Sequence, residues 1–190
     1  MAATRETRIF GAVLLEQRKV LSELAGEELL ASVIRDLPED QRQEYEGLTL
    51  LSWCRHTTAT EVVVRVGAAL GKRPEVFQAE VVRAGVERLF GGIWKVLLRL
   101  SSDEALIKRS ALLYSKACDR GRMAAESLGP GHVKLTLSEW PDIPDLGIIA
   151  LGAGIESVLR VVGRKAIITH RREQEVVIFD VRAAVDSSRP

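Results

Sequence analysis

Val133-Lys134-Leu135-Thr136-Leu137-Ser138 decides how the chain is read. Apolar and polar side chains alternate through it, the period-two pattern of a strand with one face buried. Forward of it, Pro141-Asp142-Ile143-Pro144-Asp145 is made of turn formers, and a very apolar helical segment runs from Leu146 to Val162. Two short apolar runs, Ala166–Arg171 and Val176–Val181, flank the charged Arg172-Glu173-Gln174-Glu175 and read as a closing hairpin. Strand, helix, strand, strand makes a sheet with one face covered, and everything upstream reads as helical. The expected class is α+β: N-terminal helices packed on a small antiparallel sheet with a C-terminal β-α-β-β unit.

Backward from Val133 the helical pattern is uneven. Ile9-Phe10-Gly11-Ala12-Val13-Leu14-Leu15 fits a strand or the first turns of a helix. Val20, Leu21, Leu24, Leu29, Leu30, Val33, Ile34 and Leu37 then recur at three- and four-residue spacings, with Gly26 separating two helices and Pro38 closing the second. The polar Glu39–Glu44 is a surface turn or short helix. Val62, Val63, Val64 and Val66 argue for a strand by local propensity, but Glu61 three residues after Thr58 resembles a capping box and favours a helix. Gly71 ends it, and Pro74 suits the first turn of the next helix. Glu75–Leu100 carries the clearest apolar stripe, interrupted by Gly91-Gly92, and Ser101-Ser102-Asp103 can cap a further helix that stops at Gly121 or Gly129.

Composition bounds the function. With 190 residues, 46% apolar and 28% charged, the chain reads as a single domain over 1–190, with a helical part at 8–128 and a β-α-β-β part at 132–182. Lys and Arg number 27 against 26 Asp and Glu, so nothing global attracts nucleic acid. Glu156 and Arg160 interrupt the longest apolar run short of the ~20 residues of a membrane span. Two cysteines and no secretory leader lead to the expectation of a reducing cytoplasm.

Each motif that suggests chemistry has a plainer explanation. Gly152-Ala153-Gly154-Ile155-Glu156-Ser157 after Ile148–Leu151 resembles a dinucleotide-binding turn, but Ser157 replaces the third glycine and too little helix follows. A helix whose small residues pack on the sheet is the better reading, with Ile148, Leu151, Ile155, Val158, Leu159 and Val162 as its buried stripe. Cys54 and His56 place a thiol near an imidazole, yet two residues apart on a helix they face different ways, and Cys118 fits a core thiol. His56, His132 and His170 show no metal spacing. Arg164, Lys165, Arg171 and Arg172 form a small basic cluster diluted by Glu173 and Glu175. No catalytic group emerges, so the chain is expected not to be an enzyme and to carry no cofactor or metal.

The order of these features is itself informative. Phe10–Leu15 is followed by Gly26-Glu27-Glu28, Leu37-Pro38-Glu39-Asp40-Gln41-Arg42 and Leu51-Ser52-Trp53. Arg83-Ala84-Gly85, Leu97–Leu100, Ser101–Leu106 and Asp119-Arg120-Gly121 complete it. Over residues 8–182 this resembles a family of proteins of about this length, multiplied as paralogues in myxobacteria. The layout is similar to the haem nitric-oxide/oxygen-binding domain, the four-vinyl-reductase domain and the core subunits of TRAPP tethering complexes. That resemblance implies a sensory or scaffolding module, often dimeric, with an apolar pocket between helices and sheet. Haem domains of this kind need a proximal histidine on the helix before the sheet. Here Leu112-Leu113-Tyr114 stands in that region, and no histidine occurs between His56 and His132. Their Tyr-x-Ser-x-Arg element is missing as well, because Tyr114-Ser115-Lys116 has the wrong spacing.

The expectation is a non-enzymatic cytoplasmic signalling or scaffold module, working through a protein partner or a small apolar ligand. A homodimer is part of what the resemblance implies. The alternatives are a haem or tetrapyrrole sensor and a TRAPP-like regulator of a small GTPase. Any pocket should lie between the helix at Glu75–Leu100, the helix at Asp103–Ala125 and the sheet, lined by Phe77, Phe90, Trp94, Tyr114 and Cys118. The competing reading is that these aromatic positions fill a dry core.

Overall fold

The computed structural model describes residues 6–90, 112, 114–161 and 163–183. A three-residue strand, β1 (Arg8–Phe10), opens the chain and pairs antiparallel with β2 (Trp53–Arg55). Helix α1 (Gly11–Ala25) starts directly from β1, so the ambiguous Ile9–Leu15 is both strand and helix. Gly11 is required at that junction. A Cβ there would lie 2.0 Å from the Thr49 carbonyl oxygen, because the loop before β2 crosses the helix start and Gly11 N–H donates to the Ser52 carbonyl at 2.8 Å. Gly26, at φ 84°, breaks α1 from α2 (Glu27–Arg35), and α3 (Glu39–Glu46) follows Pro38.

The β-branched segment is helical: α4 spans His56–Ala69 and α5 spans Pro74–Leu89 with Pro74 in its first turn. The helix is right, but its capping-box rationale is not. Thr58 lies inside α4, buried, and its hydroxyl donates to Glu44 Oε2 at 2.8 Å instead of capping. Burial of Val62, Val63 and Val66 against α1, α2 and Phe77 outweighs the modest helix cost of β-branched residues.

The main sheet has four antiparallel strands in the order β3-β4-β6-β5: β3 (Arg122–Gly129), β4 (His132–Ser138), β5 (Ala166–Glu173) and β6 (Val176–Ala183). Helix α6 (Asp145–Val161) crosses from β4 to β5. Strand β3 corrects the sequence reading, which carried a helix to Ala125 and kept the helical part going to 128. Met-Ala-Ala-Glu-Ser has helix-forming composition, but its ladder with β4, from Arg122↔Ser138 to Gly129↔His132, pulls it into the sheet as an edge strand. Val133, Leu135 and Leu137 of β4 are buried, as their alternation predicts, and meet Val177, Phe179 and Val181 of β6 in one apolar layer.

Two buried clusters result. One is helical, built on Leu14, Leu21, Ile34, Tyr45, Val63 and Phe77; the other joins the sheet to α6 through Leu135, Trp140, Ile143, Ile155, Leu159 and Phe179. Chain ends of the two halves are stitched together: Ile9 of β1 bridges Cys118, and Asp119 N–H donates to the Arg8 carbonyl at 3.1 Å. Among the described residues no helix is long and apolar enough to cross a membrane.

Candidate functional site: an apolar chamber between two cores

A cavity of about 360 Å³ lies where the two clusters meet, within the ~300–1,000 Å³ typical of small-molecule sites. Three faces build it by helical spacing. Helix α5 presents Gln78, Val82 and Val86, four residues apart, while its other face buries Phe77 and Val81 in the helical core. Helix α1 presents Val13 and Gln17, and α4 presents His56, Ala59 and Thr60. The opposing wall is α6, through Gly147, Ala150, Leu151, Gly154 and Val158, with Leu135 and Met123 from the sheet and Trp140 from the loop before α6.

Small residues on α6 keep the chamber open. A Cβ on Gly154 would sit 3.7 Å from Val82, ordinary contact distance, so the position could bear more volume than it does. Gly152 and Gly154 lie in the middle of α6, not at a strand-to-helix turn, which removes the dinucleotide reading and supports the packed helix. Of its expected stripe, Ile148, Ile155, Val158 and Leu159 are buried and Leu151 reaches the cavity; Val162 lies outside the described residues.

The five expected lining residues divide. Phe90, Tyr114 and Cys118 line the chamber. Phe77 does not: fully buried, it packs on Gly67, where a Cβ would be 2.8 Å from Phe77 Cδ1, and so it belongs to the helical core. Trp94 lies outside the described residues. The contributions of α1 and α4 went unforeseen. The available signal was polar residues embedded in apolar faces, Gln17 four residues after Val13 and Gln78 beside Phe77.

Three groups at the chamber, His56, Tyr114 and Cys118, are held in their uncharged forms. Burial lowers the His56 pKa, against the opposing charge of Glu6, so the imidazole is neutral at pH 7. Its ring meets Trp140 edge-on, 5.4 Å between centroids at 89°. Burial raises Tyr114 and Cys118, and the Tyr114 hydroxyl donates to the Arg120 carbonyl at 2.5 Å. Cys54 sits on β2, not on a helix, and burial together with nearby Glu44 pushes its thiol up to about 12. Neither thiol is an activated nucleophile. His132 pairs with Asp180 at 2.9 Å on the sheet. Of the expected basic cluster, Arg172 is spent on the Pro141 and Ile143 carbonyls, at 2.9 and 2.6 Å, and Arg171 on Glu173. No group of acidic, cysteine and histidine side chains suited to a metal ion occurs among the described residues.

Helices closed over an antiparallel sheet, with a chamber at their junction, define a class of fold. It is that of the H-NOX domains, with which the chain superposes over nearly its whole length at low identity. An H-NOX protein from S. oneidensis in its Fe(II)NO state gives a TM-score of 0.72 at 10% identity, covering 93% of this chain and 99% of that one. The unliganded Fe(II) H-NOX protein from K. algicida gives 0.70 at 12%, covering 96% and 100%. An oxygen-binding H-NOX domain related to soluble guanylate cyclases gives 0.65 at 13%, covering 91% and 93%. No protein-family model and no curated protein matches the chain significantly.

A haem is thereby a test of the chamber, and the described residues do not fit one. The side chains at the described wall able to ligate iron are His56, Tyr114 and Cys118, with Met123 a thioether that serves haem iron beside a histidine and Lys116 an amine that ligates only when neutral. Tyr114 and Cys118 would bind as anions, which burial disfavours, and the Tyr114 hydroxyl is already engaged. His56 Nε2 is turned against α6, so close that a Cβ added to Gly147 would lie 3.5 Å from it. Lys116 is the one charged side chain among the described lining residues, a poor match for two propionates.

Proposed function

We propose that this protein is a non-enzymatic sensory module whose chamber binds a small, mainly apolar molecule. One observation carries the reading: the cavity lies at the junction of the two buried clusters and is lined by residues of both, so an occupant touches both. Binding energy gained at that junction acts on the packing of α1, α4 and α5 against α6 and the sheet, which is the condition for a ligand to shift a conformational equilibrium. The altered surface is then read by a protein partner, with a homodimer as one form of the signalling state.

Titration with the neutral fluorophore N-phenyl-1-naphthylamine tests this. The protein should take up the probe saturably, and Ala150→Phe, which fills the chamber from the α6 wall, should abolish uptake while leaving the circular dichroism spectrum intact. Probe uptake that is unchanged in Ala150→Phe and in Gly154→Leu would remove the chamber as the site.

The likeness in shape to haem proteins favours a second reading, a haem sensor. It requires an iron ligand, and at the described wall the neutral His56 has its Nε2 packed against α6. Protein purified with haem supplied should show no Soret band shifted from that of free haem; a stoichiometric shifted band would establish the haem reading instead.

A further inference from the structure

The chamber's hydrogen-bonding groups are unevenly placed. Every described side chain of α6 and the sheet at the wall is apolar or glycine, whereas the helical wall carries Gln17, His56, Thr60 and Gln78. Two of these have an unmet need. The side-chain carbonyl oxygens of Gln17 and Gln78 are shut off from water and accept no hydrogen bond among the described residues. Gln78 is 6% exposed, and its neighbours on α5, Phe77 and Val81, are fully buried. A buried amide oxygen without a donor costs on the order of 1–3 kcal/mol, a cost that a leucine of similar size would not incur. Both residues line the cavity, so a turn of either side-chain amide brings its oxygen to a donor held there, and no described residue supplies that donor.

We propose that Gln17 and Gln78 form the recognition wall of the chamber and select an apolar molecule bearing an uncharged head that donates hydrogen bonds, a primary amide or a hydroxyl. The apolar body then lies against Leu151, Gly154 and Val158 of α6. The head is uncharged because its surroundings are: His56 is neutral, no carboxylate lines the described wall, and Lys116 is exposed. The proposal rests on the chamber being a ligand site and adds the chemistry it chooses.

Displacement of N-phenyl-1-naphthylamine by octane, 1-octanol, octanamide and octanoate separates the outcomes. Octanamide and octanol should displace the probe at about tenfold lower concentration than octane or octanoate, the effect of one unmet hydrogen bond. Gln78→Leu and Gln17→Leu should erase that preference while leaving octane unchanged, and should raise the melting temperature of the unliganded protein. Equal displacement by all four compounds overturns the recognition wall yet leaves the chamber as a ligand site. Preference for octanoate that Lys116→Gln abolishes overturns it in favour of a charged head. Equal loss of all four compounds in the leucine variants, with a lowered melting temperature, assigns the glutamines a structural role and also overturns it. Absence of probe uptake in the unaltered protein defeats the functional reading itself.

Discussion

The His56 imidazole stands edge-on to the Trp140 indole, 5.4 Å between centroids, and so connects the start of α4 to the loop that launches α6. The two halves of the fold touch through an aromatic pair at the chamber wall. Such a pair adds ~0.5–1.5 kcal/mol beyond its buried area, provided the imidazole stays neutral and dry.

That condition makes stability depend on pH with a definite sign. Burial depresses the folded-state pKa of His56, so between the unfolded value near ~6.5 and the lower folded value the unfolded chain binds a proton that the native one does not. Stability is full above that window and falls as pH drops through it. Melting temperatures measured from pH 7.5 to 5 should decline, and His56→Phe should flatten the decline. An equally steep fall in the variant would locate the titration elsewhere.

A second prediction concerns the fastening of β2. Arg55 binds Glu44 Oε2 through Nε at 2.7 Å and Asp40 through a terminal nitrogen at 2.8 Å, while Thr58 donates to the same Glu44 oxygen. Burial opposes ionisation of Glu44, but hydrogen bonds from the Arg55 side chain and backbone and from Thr58 outweigh it and hold the carboxyl below its usual range. Glu44→Ala should cost about 2 kcal/mol in urea unfolding, because it strands both the Arg55 backbone N–H and the Thr58 hydroxyl. A loss under ~0.5 kcal/mol would show those groups finding water without penalty.

The same substitution at two glycines should act in opposite directions. Gly11→Ala drives a methyl into the Thr49 backbone carbonyl, 2.0 Å from the ideal Cβ, and should cost more than ~2 kcal/mol. Gly154→Ala meets only Val82 at 3.7 Å in mid-helix and should stabilise by up to ~1 kcal/mol. Thermal denaturation of the two variants checks both signs.

Thiol chemistry reports on the chamber. Cys118 is partly exposed and lines it, whereas Cys54 is fully buried with its thiol pushed up to about 12. Iodoacetamide at neutral pH should label Cys118 first, slowly, and N-phenyl-1-naphthylamine should protect Cys118 alone. Mass spectrometry of tryptic peptides distinguishes the sites; preferential labelling of Cys54 would contradict the burial described.

Where sequence periodicity coincided with burial it was a good guide. Val133, Leu135 and Leu137 alternate because one face of β4 is covered, and α6 reads as a helix because its apolar residues recur at three and four. Strand β3 was illegible for a physical reason: an edge strand needs only its backbone to join a ladder, and Ala124 and Ala125 carry no β preference to reveal it. The chamber was half legible. Phe90, Tyr114 and Cys118 stood out as large or reactive groups on apolar faces. Phe77 shares their chemistry but lies ~100° around α5 from Gln78, turned into the helical core, and no pattern within one helix states which face meets a core and which a void.

The bridge from Ile9 to Cys118, with Arg8 joined to Asp119 beside it, brings the first strand against a residue more than a hundred positions later. Ring closure over that span is slow and entropically dear compared with pairing inside the helical half. On a ribosome, α1 to α5 can condense long before Cys118 emerges, and the α6 wall of the chamber, at Asp145–Val161, follows later still. The apolar face that α1, α4 and α5 turn to the chamber is therefore bare until that wall arrives.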